Sequence, residues 1–192
     1  MAVYKISRYP RTTELRDGRT LTLRPLQHGD ADALLAFFRG VPEDDRFLLK
    51  DDVTSPRVIG AWVDGLDYDR ALPLLAVDGD RIVADAVLIR HRSGSRAPTA
   101  ELRIVVDPAY RNQGLGVRLM QELADIAYDA ELESIVFELV RDVEDDAIEA
   151  VRFLGAVEAG SITDVVKDLY GKPHDLVYMK LPLGKWWKWS KY

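Results

Sequence analysis

The stretch ELRIVVDPAYRNQGLGVRLM, residues 101–120, narrows what this chain can fold into more than any other part of it. An apolar run reaches a Pro turn and two glycines, and a helical pattern then places Leu115, Leu119, Met120, Leu123, Ile126 and Ala127 on one side. The apolar run SIVFELV that follows reads as a strand buried in a sheet. Strand, helix and strand in this order imply a parallel pair joined by a crossover helix. The turn also presents unpaired backbone N–H groups at the positive end of a helix. Glycines let the main chain approach a ligand, and Arg111 adds a guanidinium suited to a phosphate.

The rest of the chain surrounds this unit with hairpins and helices. In TTELRDGRTLTLRPL, Asp17-Gly18 between two alternating runs signals a hairpin. GDADALLAFFRG reads as a helix with Asp30 as N-cap and Ala33, Leu34, Phe37 and Phe38 on its apolar face. SPRVIGAWVDGL repeats the logic, with Ser55 as cap, Pro56 at the first position, and Ile59, Trp62, Val63 and Leu66 as the stripe. LLAVDGDRIVADAVLIRH predicts a second hairpin turning at Asp78-Gly79, and SGSRAP a loop before the strand of residues 101–106. EDDAIEAVRFLGA predicts a shorter helix stopped by Gly155, and two final strands flank YGKPH. The fold class expected is α/β: a mixed, mostly antiparallel central sheet with one parallel pair and helices on both faces.

No linker or repeat interrupts this order, so 192 residues are read as one domain, its core about 12–183, with a Trp/Lys-rich tail over 184–192. The net charge of −6 argues against a nucleic-acid partner and favours a cationic one. With no cysteine, disulfides, thiolate metal sites and a cysteine acyl-enzyme are excluded. His28, His91 and His174 lie far apart without metal-ligand spacing, so no metal is expected. No apolar run spans a membrane and no signal-peptide pattern opens the chain, so a cytoplasmic location is expected.

RNQGLG is neither Gly-x-Gly-x-x-Gly nor a nucleoside-triphosphate loop, since no Gly-Lys-Ser/Thr follows. Arg/Gln-x-x-Gly-x-Gly/Ala after an apolar strand and before an amphipathic helix is instead the acyl-CoA signature of the GCN5-related N-acetyltransferases. VDPAYRNQGLG resembles it, and the order of elements agrees from about Thr20 to Leu183. The resemblance implies an acyl-CoA N-acyltransferase fold in which the two parallel strands splay. It implies acetyl-CoA as acyl donor, its pyrophosphate held by Arg111, Asn112, Gln113, Gly114, Leu115 and Gly116. Ile104, Val105 and Val106 then offer backbone groups to pantetheine and the thioester carbonyl.

Acyl transfer to an amine of pKa near ~10.4 needs a base. Glu101 opens the strand that passes the thioester, and alternation puts it on the face of Arg103 and Val105, opposite Leu102, Ile104 and Val106. AELRIVV and LRDGRTLTLRPLQHGD are similar to a subgroup, the bacterial protein lysine acetyltransferases, in which an Ala-Glu at this point carries the base. That implies Glu101 as base and a protein lysine as acceptor, with small polyamines, amino acids or antibiotics as the runner-up. In the family's Tyr-x-x-x-Gly-Phe segment this chain has Val151 for Tyr and Ala156 for Phe, and Glu144 aligns with the earlier Asn. The usual acid is missing; Tyr170 and Tyr178 are the nearest substitutes, and a non-catalytic acyl-CoA-binding regulator is the competing reading. Asp85 breaks an apolar strand, facing either the acceptor or solvent. The tail KWWKWSKY suits a membrane interface or a partner, or packing of Trp186 and Trp187 on the domain or across a homodimer.

Overall fold

A computed structural model of the chain describes Tyr4, residues 6–184 and Trp187. Two glycine turns build the first half of the sheet. β1 (Arg11–Glu14) and β2 (Thr20–Pro25) pair antiparallel around Asp17-Gly18, with Gly18 in the left-handed region at φ +87°. β3 (Ala71–Asp78) and β4 (Arg81–Arg90) form the second hairpin. Its turn is Gly79-Asp80, one residue later than Asp78-Gly79, because Asp78 is still paired with Arg81.

Three helices lie between these hairpins: α1 (Ala31–Gly40), the five-residue α2 (Glu43–Phe47) and α3 (Pro56–Asp64). Leu34, Phe37 and Phe38 of α1 and Ile59 and Val63 of α3 pack on Leu75, Val77 and Ile82, which covers one face of the sheet. Asp30 takes the N-cap position of α1, as expected, but its side chain makes no cap bond. A 3-10 turn (His28–Asp30) intervenes, and the Asp30 carboxylate instead accepts the Gln27 N–H at 2.7 Å and pairs with Arg24 at 2.6 Å. Ser55 stands before α3 without a side-chain cap bond, while Pro56 takes the first helical position as expected.

The second half follows the predicted crossover. β5 (Thr99–Val106) joins β4, α4 (Leu115–Asp129) crosses the sheet, and β6 (Ser134–Val140) returns parallel to β5. α5 (Asp145–Phe153) then ends at Gly155, φ +96°. The closing hairpin of β7 (Val157–Lys167) and β8 (Pro173–Pro182) places β8 against β6 and leaves β7 at the edge. The eight-stranded order is β1-β2-β3-β4-β5-β6-β8-β7, with β5–β6 its parallel pair. All six predicted apolar residues of α4 are buried, in one cluster with Leu102, Ile135, Phe137, Val151 and Met179. His174, which shows no partner in the sequence, meets Asp168 across the β7–β8 turn at 3.2 Å.

Trp187 is buried in the α4-side core, and its indole N–H donates to Asp125 at 2.9 Å. One tail tryptophan therefore packs back on the domain; Trp186 and residues 188–192 lie outside the described residues. Among the described residues, no helix is long and apolar enough to cross a membrane.

Candidate active site

The parallel pair holds for three rungs: Thr99–Ser134, Ala100–Ile135 and Glu101–Val136. Beyond Glu101, β5 stays on β4 as far as Val106, while β6 stays on β8 as far as Val140. The two strands part there, leaving one edge of β5 without a sheet partner among the described residues. Asp107 N–H donates to Val83 of β4, so alternation turns the backbone groups of Val105 toward β4. Those of Ile104 and Val106 face the gap, and the Val106 carbonyl accepts from Arg111 Nε at 3.0 Å.

The turn after β5 is built by Asp107, whose carboxylate accepts the Ala109 N–H at 2.9 Å. Tyr110 anchors it, its hydroxyl donating to Asp78 at 2.6 Å and its ring lying under the Arg19 guanidinium. Asn112 (φ 59°) and Gly114 (φ 84°) are left-handed, which swings the chain sharply into α4. The first intrahelical bond runs from Arg118 N–H to Gly114, so the N–H groups of Leu115, Gly116 and Val117 have no acceptor within the helix. Arg111 stands beside this end, paired with Asp45 of α2 at 2.5 Å. A groove of about 650 Å³ runs from Asn112, Gln113 and Gly114 between the first hairpin, α4 and α5, and Arg16 lines it. Left-handed turn, bare N–H groups and arginine suit a pyrophosphate. The two glycines differ in role. Gly114 is required by its backbone angle, whereas a Cβ on Gly116 would stand 3.8 Å from Ile104, toward the sheet.

Glu101 lies on the α1/α3 face, as alternation predicts: Leu102, Ile104 and Val106 pack in the α4 cluster, Val105 in the other. It is half-buried. Arg103 Nε donates to Glu101 Oε1 at 2.6 Å and Lys50 Nζ to the same oxygen at 3.0 Å. Burial pushes the carboxyl up, but the bonds from Arg103 and then Lys50 outweigh it and hold Glu101 below its ordinary value. Lys50 also reaches Glu138 Oε2 at 2.7 Å. Phe137 and Leu139 point into the α4 cluster, so Glu138 projects on the same face as Glu101, from the opposite lip of the gap. Tyr178 is its cross-strand partner on β8.

Asp85 is buried on that face, between Leu75 and Val105 in register, and its Oδ1 has no hydrogen-bond partner among the described residues. Burial pushes its carboxyl up to about 7. The Glu144 carboxyl is also pushed up by burial, and it accepts the Val140 N–H at 2.7 Å. Val151 is fully buried in the core. Tyr170 sits at the tip of the β7–β8 hairpin, 80 % exposed, so of the two substitute tyrosines only Tyr178 shares a face with Glu101.

Structure therefore gathers Glu101 with Lys50 and Glu138, and Arg111 with Asp45, which sequence reasoning did not anticipate. Glu138 had a signal, being the one charge inside the buried strand SIVFELV. Lys50, Asp45 and Arg16 had none, because they meet the site from loops and a short helix.

Comparison with known proteins agrees with this geometry. The acetyltransferase (GNAT) family matches residues 31–156. No curated protein matches the chain. Among solved structures, the GNAT domain of S. lividans PAT superposes with a TM-score of 0.77 at 19% identity, covering 92% of this chain and 98% of that one. Ribosomal-protein-S5-alanine acetyltransferase from Vibrio fischeri gives 0.76 at 15% identity, over 92% and 98%. YncA of Salmonella typhimurium, solved with its cofactor acetyl-CoA, gives 0.71 at 22% identity, over 86% and 95%. With the parted strands and the left-handed turn into α4 in place, the chain belongs to the acetyltransferase (GNAT) family.

Proposed function

We propose that this acetyltransferase binds acetyl-CoA along Ile104 and Val106 and the turn of Arg111, Asn112, Gln113, Gly114, Leu115 and Gly116, and moves the acetyl group to a primary amine. Val105, expected from the sequence to share this edge, turns its backbone groups to β4 instead. The observation that carries the reading is the break in β5–β6 pairing beyond Glu101, which leaves an open strand edge between that carboxylate and the turn into α4. Bound there, acetyl-CoA supplies an activated acetyl thioester. The gap-facing N–H groups of Ile104 and Val106 are donors suited to a thioester carbonyl. Arg111 leaves Asp45 for the pyrophosphate. Glu101, ionised at neutral pH, receives the proton of the acceptor ammonium, directly or through water. With no cysteine in the chain, the amine attacks directly in a ternary complex.

Glu101 and Glu138 at the gap, together with the net charge of −6, suit a cationic acceptor. A protein lysine is our first choice, supported by the resemblance of AELRIVV to the protein lysine acetyltransferases; small amines are the runner-up. Tyr178, cross-strand from Glu138 on the face of Glu101, is the substitute we assign to protonate the departing thiolate. A non-catalytic acyl-CoA-binding regulator is the second reading, favoured by Val151 buried where the family's tyrosine stands. A homodimer rests on edge strand β7, which exposes Val157, Ile162 and Val165. The test of function is calorimetric acetyl-CoA binding together with acetyl transfer to a panel of small amines and lysine peptides. Binding with transfer supports the enzyme, and binding without transfer to any amine supports the regulator.

A further inference from the structure

A primary ammonium already occupies the mouth of the gap. Lys50 Nζ lies 3.0 Å from Glu101 Oε1 and 2.7 Å from Glu138 Oε2, bridging the two lips where β5 and β6 part. It comes from the segment after α2, whose Asp45 is tied to Arg111 at 2.5 Å. One short stretch of chain thus reaches from the pyrophosphate turn to the carboxylate pair. Lys50 is 47% exposed at its side chain, so a larger, neutral head group has room to turn outward. A group that gives its proton to a base must be within hydrogen-bond reach of it, and Lys50 is.

We propose that Lys50 is the chain's own acceptor: a modification site, acetylated on Nζ in cis by acetyl-CoA. The inference rests on the N-acetyltransferase reading above. In the step, the Lys50 ammonium gives a proton to Glu101, and its nitrogen attacks the thioester carbonyl carbon. A C–N bond forms and the C–S bond breaks. The thiolate leaves and is protonated, so that lysine ammonium and acetyl-CoA become acetyl-lysine, CoA thiol and one released proton. Acetyl-lysine carries no charge, so Glu101 and Glu138 lose their shared cation and are open to the ammonium of an external amine. Glu138 is a positioning residue here, holding Nζ beside Glu101.

The experiment incubates the full chain with acetyl-CoA and no other amine, and follows acetylation of each lysine by peptide mass spectrometry. Expected is modification at Lys50, first order and unchanged in rate when the protein is diluted about tenfold, absent from Lys50→Arg. Glu101→Gln slows it by at least ~10-fold, and Glu138→Gln slows it while leaving calorimetric CoA affinity unchanged. Without acetyl-CoA, the isotope-labelled Lys50 ammonium gives a sheltered nuclear magnetic resonance signal that Glu138→Gln abolishes. Wild type that binds CoA and acetylates external amines but leaves Lys50 free overturns the inference alone. Equal labelling in Glu101→Gln overturns it as well, since that is uncatalysed surface chemistry. A chain that neither binds CoA nor acetylates any amine overturns the enzyme reading and this one with it.

Discussion

Asp85 and Glu101 stand on one face of neighbouring strands, yet their surroundings push them in opposite directions. Glu101 is kept ionised by Arg103 and Lys50, despite its half-burial. Asp85 has no such partner, and burial moves its carboxyl from 3.8 to about 7. Between those values the folded protein holds a proton that the unfolded chain has released. The stability from this group is therefore full below about pH 4, falls as pH rises toward about 7, and stays lost above that. The loss is on the order of 4 kcal/mol at most. Asp85→Asn removes the titration, so in urea unfolding wild type weakens relative to the variant between about pH 4 and about pH 8. Parallel pH dependence in the two proteins contradicts this account of Asp85. The turn glycines make a second pair of unlike residues. Gly114→Ala forces a side chain into the left-handed region and lowers stability by about 1 kcal/mol in thermal unfolding. Gly116→Ala meets only an ordinary contact with Ile104, so folding and CoA affinity are both retained. Equal damage from the two changes argues against the separate roles.

At the scale of elements, α4 links the binding turn to the rest of the fold. Glu122 on its buried side is 4% exposed and gathers Arg8 at 3.4 Å, Arg11 at 3.2 Å and Arg118 at 2.9 Å. The Tyr9 hydroxyl donates to it at 2.9 Å. This ties the segment before β1 to the crossover helix. Glu122→Ala leaves cations that reach solvent, so the cost is about 3 kcal/mol, at the lower end for a broken buried pair. A change under ~0.5 kcal/mol in denaturant unfolding shows the network to be dispensable. The long elements were legible in the sequence: α4, β6 and the glycine-stopped α5 announce themselves by apolar period and by Gly155. α2 was not, since five residues after Pro42 are too few to show a period. Asp30 and Ser55 do stand at the N-cap positions read from the sequence, but neither side chain makes a cap bond. Arg24 and the 3-10 turn compete for the Asp30 carboxylate, and sequence spacing does not reveal such a competitor.

At the scale of the molecule, the sheet does the positioning. Antiparallel pairing on either side holds β5 to β4 and β6 to β8, so the weak rung between them is free to open beyond Glu101. The opening makes the candidate site, and the turn at the end of β5 caps it. The parallel pair and the turn followed from ELRIVVDPAYRNQGLG and the order of elements, and the opening from the family resemblance those residues carry. What the sequence could not show was which distant side chains would meet at the gap. Asp45 and Lys50 come from α2 and the segment after it and Glu138 from β6, and only the folded sheet brings them to Glu101 and Arg111. The insertion of β8 between β6 and β7 was equally hidden, because a hairpin's sequence does not say which arm docks.

Steady-state acetyl transfer by wild type and Glu101→Gln, paired with calorimetric CoA binding, tests most directly whether Glu101 is the base. Loss of the base predicts a fall in kcat of about 10²–10⁴-fold with CoA affinity little changed. Turnover equal to wild type in Glu101→Gln contradicts the assignment.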